Sequence, residues 1–240
     1  MKKILLIVVS FLFISLFADS AEKLTSQQFL NLSRKAPPQE SWGIMSGEAM
    51  HRRNGEAVET FPIRLAVKFT PINALSQVII ANKEGYQIAQ EYNSKAPTVF
   101  SMSLEKNLNL LGGKLGIKPE DLTMSFLHWN FKEELEETSH KTLSCRVFIL
   151  ESFDKKERVK VALSTKYFFP LKVEWYKTGE KIKFRTLEVK SFKNMNDLGI
   201  IASIKLYGPG WVTKINFEDI DADVTKKRDP KNLFKKTIGE

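Results

Sequence analysis

The chain has one cysteine, Cys145, in 240 residues, so no disulfide can form within it. Its three histidines, His51, His128 and His140, stand far apart, none three or four residues from another. With a single thiol they cannot build a zinc site of ordinary ligand spacing, so no metal is expected. The patterns G-x-S-x-G, G-x-G-x-x-G and G-x-x-x-x-G-K-[ST] are absent, and Gly112-Gly113-Lys114 lacks the spacing of a phosphate loop. Glu133-Glu134 and Glu136-Glu137 come nearest to a carboxylate pair. Strand alternation puts the members of each doublet on opposite faces, so that Glu133 and Glu137 could share a side, and a solvated strand face explains such doublets more often than glycoside hydrolysis does. Neither a catalytic residue nor a cofactor is expected, and the chain reads as a non-enzyme.

Long hydrophobic runs are also scarce, with one exception. Lys2 and Lys3 precede an apolar run, Ile4–Phe17, broken only by Ser10 and Ser15. Ala18-Asp19-Ser20 then places small residues at −3 and −1 of a cut after Ser20, with Ala18 as an alternative site. The run is shorter than the roughly 20 residues of a membrane span, and no cysteine follows it to carry a lipid. Residues 1–20 therefore read as a secretory signal peptide. Residues 21–225 read as one domain without a Pro/Gly/Ser-rich linker, and 226–240 as a basic C-terminal tail.

Without Lys2, Lys3 and Asp19 the mature chain carries 35 basic and 27 acidic residues, a net of +8. Residues 226–240 hold six basic and two acidic residues, half of that excess. A solvated, frayed tail is the plain reading; attraction to an anionic lipid surface is the sharper one. Nucleic-acid binding fits poorly, because Glu174 and Glu188 interrupt any patch built on Lys172, Tyr176 and Lys183. A free thiol in an exported protein needs burial. In CRVFIL, Cys145 shares a face with Val147 and Ile149.

The elements are mostly short strands. Thr25 and Gln28 form a capping box for a helix carrying Phe29, Leu30 and Leu32, which Pro37-Pro38 ends. Ile44–Arg53 and Glu56–Phe69 flank Asn54-Gly55, a two-residue hairpin signal, and Pro62 marks a bend or an edge. Gln77–Ala81 and Tyr86–Gln90 form another hairpin. Asn93–Lys118 has weak periodicity and reads as loop with a helical turn or two. Pro119–Trp129 reads as a short helix with Leu122, Phe126 and Trp129 on one face.

Beyond it come Glu133–Thr138, Leu143–Glu151, Arg158–Ser164, Leu171–Lys177, Lys181–Lys193, Ile200–Tyr207 and Trp211–Asp221. Leu171, Val173 and Trp175 share one face. A phase slip between Arg185 and Thr186 has the signature of a β-bulge. About ten antiparallel strands with two helices can make a sandwich, a closed barrel, or a curved open sheet with helices on its concave side. Two amphipathic helices need a sheet face to cover, which favours the third.

The box PEDLTMSFLHW, the strand CRVFIL that follows it, and the strand ending in VKSFK together resemble the LolA-like outer-membrane lipoprotein-sorting family. The likeness runs from the Asn54-Gly55 hairpin to the last strand and is tightest over Pro119–Lys193. VALSTKYFFPLKVEWYKTGE departs from the family's usual strand pair, with Ser164 and Thr165 in place of Ile-Asp. The resemblance implies a mainly β (α+β) fold, a curved antiparallel sheet forming an incomplete barrel with helices on its concave face. It also implies a periplasmic carrier of lipid or lipoprotein acyl chains, with inner- and outer-membrane lipoprotein-sorting partners.

On that reading the candidate groove is lined by Leu65, Val67, Phe126, Trp129, Val161, Leu171, Val173, Trp175 and Phe184. Each of these also suits an ordinary core. An unclosed sheet would leave its concave face partly unfilled, with Met45, Met50, Met102 and Met124 lending adaptability. Burying a sixteen-carbon chain there is worth about 12 kcal/mol at roughly 0.8 per methylene. The other reading is an envelope interaction protein that uses a filled sheet and the basic tail to contact anionic membrane or a protein partner.

Overall fold

The computed structural model describes residues 24–35, 39–92, 94, 96–103, 109–196, 198–228 and 230–238. The expected signal peptide lies outside them. A helix, α1 (Ser26–Ser33), precedes five strands: β1 (Ser41–Arg53), β2 (Glu59–Phe69), β3 (Asn73–Ile80), β4 (Glu84–Glu91) and β5 (Thr98–Ser101). A π-helical turn (Leu110–Lys114), α2 (Pro119–Thr123) and a 3₁₀ turn (Ser125–His128) follow. Seven more strands complete the chain: β6 (Asn130–His140), β7 (Leu143–Glu151), β8 (Glu157–Ser164), β9 (Pro170–Lys177), β10 (Lys183–Met195), β11 (Leu198–Gly208) and β12 (Trp211–Val224).

All twelve strands join one antiparallel sheet in the order β5-β4-β3-β2-β1-β12-β11-β10-β9-β8-β7-β6. Its free edges, β5 and β6, are consecutive in the chain and do not pair. The sheet is therefore an incomplete barrel, and the helical segment between β5 and β6 must pass from one edge to the other. Alternation sets the faces. In β2, Ile63, Leu65 and Val67 meet the core, whereas Ala66 packs on the other side. β3 ends opposite Ile63, so Pro62 sits just beyond that ladder, where its missing N–H costs nothing.

Bulges bend the sheet. At Ser46/Gly47 the β1–β12 register slips, and a Cβ on Gly47 would lie 1.9 Å from the Asn216 carbonyl oxygen. Only glycine allows that backbone approach. The expected slip in β10 is real but falls between Lys183 and Arg185, with Phe184 the extra residue.

Several sequence expectations are corrected. Ala162 pairs with Lys172 but Leu163 with Pro170, so Leu171 is a bulge residue. It leaves the face of Val173 and Trp175 and packs with Cys145, Val147 and Ala162 on the convex side. The Asn54-Gly55 loop runs from Asn54 to Val58, because the Asn54 N–H is drawn to the Gly210 carbonyl (2.8 Å) in the neighbouring β11–β12 turn. The Pro119–Trp129 helix is two pieces, broken where Met124 takes a left-handed conformation (φ 54°).

The C-terminal segment is not frayed. Leu233 packs with Trp42 and Ala66 on the convex face, and Ile238 lies against Gly85. The Gln77 side chain pairs with the Lys235 backbone, donating to its carbonyl (2.8 Å) and accepting from its N–H (2.9 Å). Arg64 donates to the Leu233 carbonyl and Trp42 Nε1 to that of Arg228. Two aliphatic anchors and outward-facing polar side chains on β1–β3 thus hold a segment whose composition is that of a solvated tail.

Candidate functional site

The concave face is roofed by the chain's own helical pieces. From the sheet, Leu65, Val161, Val173 and Trp175 point inward; from the cover, Phe29, Leu30, Leu111, Leu115, Ile117, Phe126 and Leu127 meet them in one buried cluster. Phe29 stacks on Phe148 at 5.7 Å, and Phe126 meets Trp175 edge to face at 5.5 Å. The partly unfilled groove expected from the sequence is therefore not open. Two cavities lie elsewhere, one on the convex side and one at the end of the cover.

Of the nine candidate residues, Leu65, Phe126, Val161, Val173 and Trp175 are buried under the cover. Val67, Trp129 and Phe184 sit half-buried at its margin, and Leu171 is on the other face. The cover holds to the sheet by more than apolar contact. Asp121 and Arg185 form a bidentate pair (2.7 and 2.8 Å), 3% and 5% exposed. The Arg185 guanidinium also lies 3.9 Å from the Trp175 ring centre and donates to the Gly116 carbonyl.

Asp121 additionally accepts the Lys118 N–H (2.8 Å), so one carboxylate both organises the start of α2 and docks it. Burial pushes the Asp121 pKa above the ordinary carboxylate range, while Arg185 and the Lys118 N–H pull the other way.

Other anchors flank this one. Glu84, fully buried in β4, accepts the N–H groups of Leu110 and Leu111 at the head of the π-helical turn. Thr213 donates its hydroxyl to the Leu115 carbonyl (2.7 Å), so the 2.8 Å contact with His51 must be donated by His51 Nδ1–H. That assigns the His51 tautomer. Arg34, at the end of α1, donates to the carbonyls of Leu127 (2.6 Å) and Trp129 (3.2 Å). Arg146 pairs with Glu134, reaches the Leu24 carbonyl, and lies over the Phe29 ring at 4.7 Å. Gly116 (φ 69°) lets the chain cross Trp211, where a Cβ would come within 2.6 Å of the indole.

None of these charged anchors was picked out from sequence. The one available signal was the phase slip at Arg185.

The first of the two cavities, about 520 Å³, lies on the convex side between β6 and β9, among Glu136, Glu137, His140, Lys160, Lys172 and Glu174. The second, about 230 Å³, opens at the end of the cover between Arg53, Gly113, Lys114, Lys118, Phe184, Arg185 and Trp211. Among the described residues no group of three or more His, Cys, Asp and Glu could hold a metal. No described helix is long and apolar enough to cross a membrane.

An open, twelve-stranded half-barrel whose two edges are bridged by a helical cover defines the class: the fold is LolA-like. A domain from Vibrio parahaemolyticus described as an outer membrane lipoprotein-sorting protein superposes with a TM-score of 0.62 at 16% identity, over 88% of this chain and 93% of that one. A DUF1329 family protein from Desulfovibrio piger gives 0.58 at 11%, over 88% and 93%. A LolA superfamily protein from Nitrosomonas europaea gives 0.56 at 18%, over 88% and 100%. No protein-family model and no curated protein matches the chain. At these identities the likeness establishes the fold alone.

Proposed function

We propose that the chain is a non-enzymatic, periplasmic carrier or binding protein for lipid or lipoprotein acyl chains, described here with its cover closed. One observation carries the reading. The concave face is filled from a helical cover, not by a second sheet. Residues 109–129 bridge the two unpaired edges and are held at separate polar points, Glu84, Asp121–Arg185 and Thr213, above an apolar floor. Lifting the cover would bare Leu65, Val161, Val173 and Trp175 as a continuous apolar trough. The lipoprotein-sorting description of the Vibrio parahaemolyticus domain of the same fold supports this reading.

Native mass spectrometry of the gently purified mature chain tests it. A lipid mass should accompany the protein, and Val173→Trp, which fills the floor, should abolish it. A lipid-free chain that also fails to take up added lipid would end the proposal.

A second reading has an observation of its own. The docked C-terminal segment displays Lys226, Lys227, Lys231 and Lys236 to solvent on the convex face. An envelope protein could meet anionic membrane there without any cargo. It predicts salt-sensitive liposome binding, lost on removing residues 226–240, with no extracted lipid.

A further inference from the structure

We propose that the 230 Å³ cavity at the end of the cover receives the anionic headgroup of the lipid cargo, a phosphate or carboxylate joined to an alkyl chain. The inference rests on the carrier reading and adds what kind of lipid is carried. Four cations reach the cavity from four separate segments: Arg53 at the end of β1, Lys114 in the π-helical turn, Lys118 before α2, and Arg185 in β10.

Their counter-charges do not balance them. Lys114 pairs with Glu59 (2.5 Å) and Arg185 with Asp121. Lys118 stands 3.6 Å from Glu157, whose nearer partner is Lys177 at 3.0 Å. Arg53 donates to the Gly113 carbonyl (3.0 Å) and pairs with no carboxylate among the described residues. The surroundings register the excess. The pKa of His51, behind Trp211, is lowered first by burial and then by Arg53 and Lys114, with Glu59 and Glu56 opposing.

The walls make the site one for an amphiphile. Phe184 and Trp211 line the cavity on one side and pack against the covered core on the other. A headgroup held by Arg53 and Lys118 would thus have its first carbons directed along aromatic faces toward the trough. Inorganic phosphate would leave that wall unused. The volume is nearly eight times the roughly 30 Å³ share of a water molecule, enough for an oxyanion and the atoms next to it. Because Gly112–Gly116 of the cover forms part of the rim, headgroup binding and cover position would be linked.

Calorimetric titration of the delipidated mature chain decides the matter, using dodecyl phosphate, neutral dodecyl glucoside and inorganic phosphate. Dodecyl phosphate should bind at least tenfold more tightly than either of the others. Arg53→Gln with Lys118→Gln should erase its advantage over the glucoside. Should that double variant not fold, Arg53→Gln alone, at an exposed position, carries the test.

Equal binding of the two alkyl probes, or an advantage that survives the substitutions, overturns the headgroup site and leaves the carrier reading standing. Phosphate binding as tightly as dodecyl phosphate would make this a free-anion site and overturn the lipid version. If neither alkyl probe binds, the carrier reading fails and this inference with it.

Discussion

Asp121→Asn isolates the central anchor of the cover. The substitution keeps the shape of the side chain but leaves the Arg185 guanidinium, 5% exposed, without a counter-charge. Stripping one partner from a buried ion pair costs about 3–5 kcal/mol. The lower end applies, because Trp175 and the Gly116 carbonyl still contact Arg185 and an amide oxygen can accept one of its two hydrogen bonds. If the cover is a separate unit, that cost is met by lifting it, and the sheet stays folded.

Native-state hydrogen exchange reads this out directly. The N–H groups of Leu115, Ile117 and Leu127 bond to Leu110, Leu111 and Met124 within the cover. Their exchange should accelerate by about 150-fold for about 3 kcal/mol, at a factor of ten per 1.4 kcal/mol, while amides of β9 change little. Asp121→Leu with Arg185→Met should restore much of the protection, since an apolar pair removes the stranded charge. A rise in step across cover and sheet would refute the idea of a detachable cover. No rise at all would show that the pair does not hold it.

Two further outcomes follow from the convex face. Burial alone would raise the pKa of Glu174, but hydrogen bonds and charge from Lys183 and Lys172 more than offset this and lower it from 4.5 to about 2. A carboxylate depressed in the folded state stabilises above its unfolded pKa, and that stabilisation disappears as pH falls from 4.5 toward 2. The melting-temperature gap between wild type and Glu174→Gln, worth at most about 2 kcal/mol after solvent screening, should be present at pH 6 and closed near pH 2. A gap independent of pH would contradict the assignment. Leu233→Ala should cost about 2 kcal/mol and expose Lys226, Lys227 and Arg228 to rapid trypsin cleavage; cleavage equally fast in the wild type would argue against the docked segment.

Most strands were legible because one face of each is apolar and the alternation survives; β6, largely exposed, is the exception among those read. β5 was missed because its four residues, Thr98–Ser101, are exposed throughout and carry no such signal. Leu110–Ile117 read as weakly periodic because its turn is π-helical: Leu110 and Leu115 lie five apart, joined by the Leu115 N–H and the Leu110 carbonyl, and this spacing defeats a search at 3.6. The Asp121–Arg185 pair spans 64 positions. Locally, Asp121 resembles a helix-start acid and Arg185 a solvent-facing strand residue, so neither announces the other. The docked C-terminal segment escaped for a similar reason. Its partners, Arg64 and Gln77, are polar groups on outward strand faces, which composition reads as solvated.

The filled concave face alters what the proposed carrier has to do. An acyl chain of sixteen carbons gains about 12 kcal/mol on leaving water. Displacing four of the cover's buried side chains, for instance Leu111, Leu115, Ile117 and Phe126, gives back about 6–12 kcal/mol at roughly 1.5–3 each. The two quantities are of one size, so cargo would exchange with the cover near balance. A loosely held cargo is what a carrier requires, because its acceptor must be able to take the chain away. The polar anchors then set the direction of that balance. Each one broken when the cover lifts weakens retention of cargo, so Asp121→Asn should raise lipid occupancy even as it lowers the protection of the empty protein.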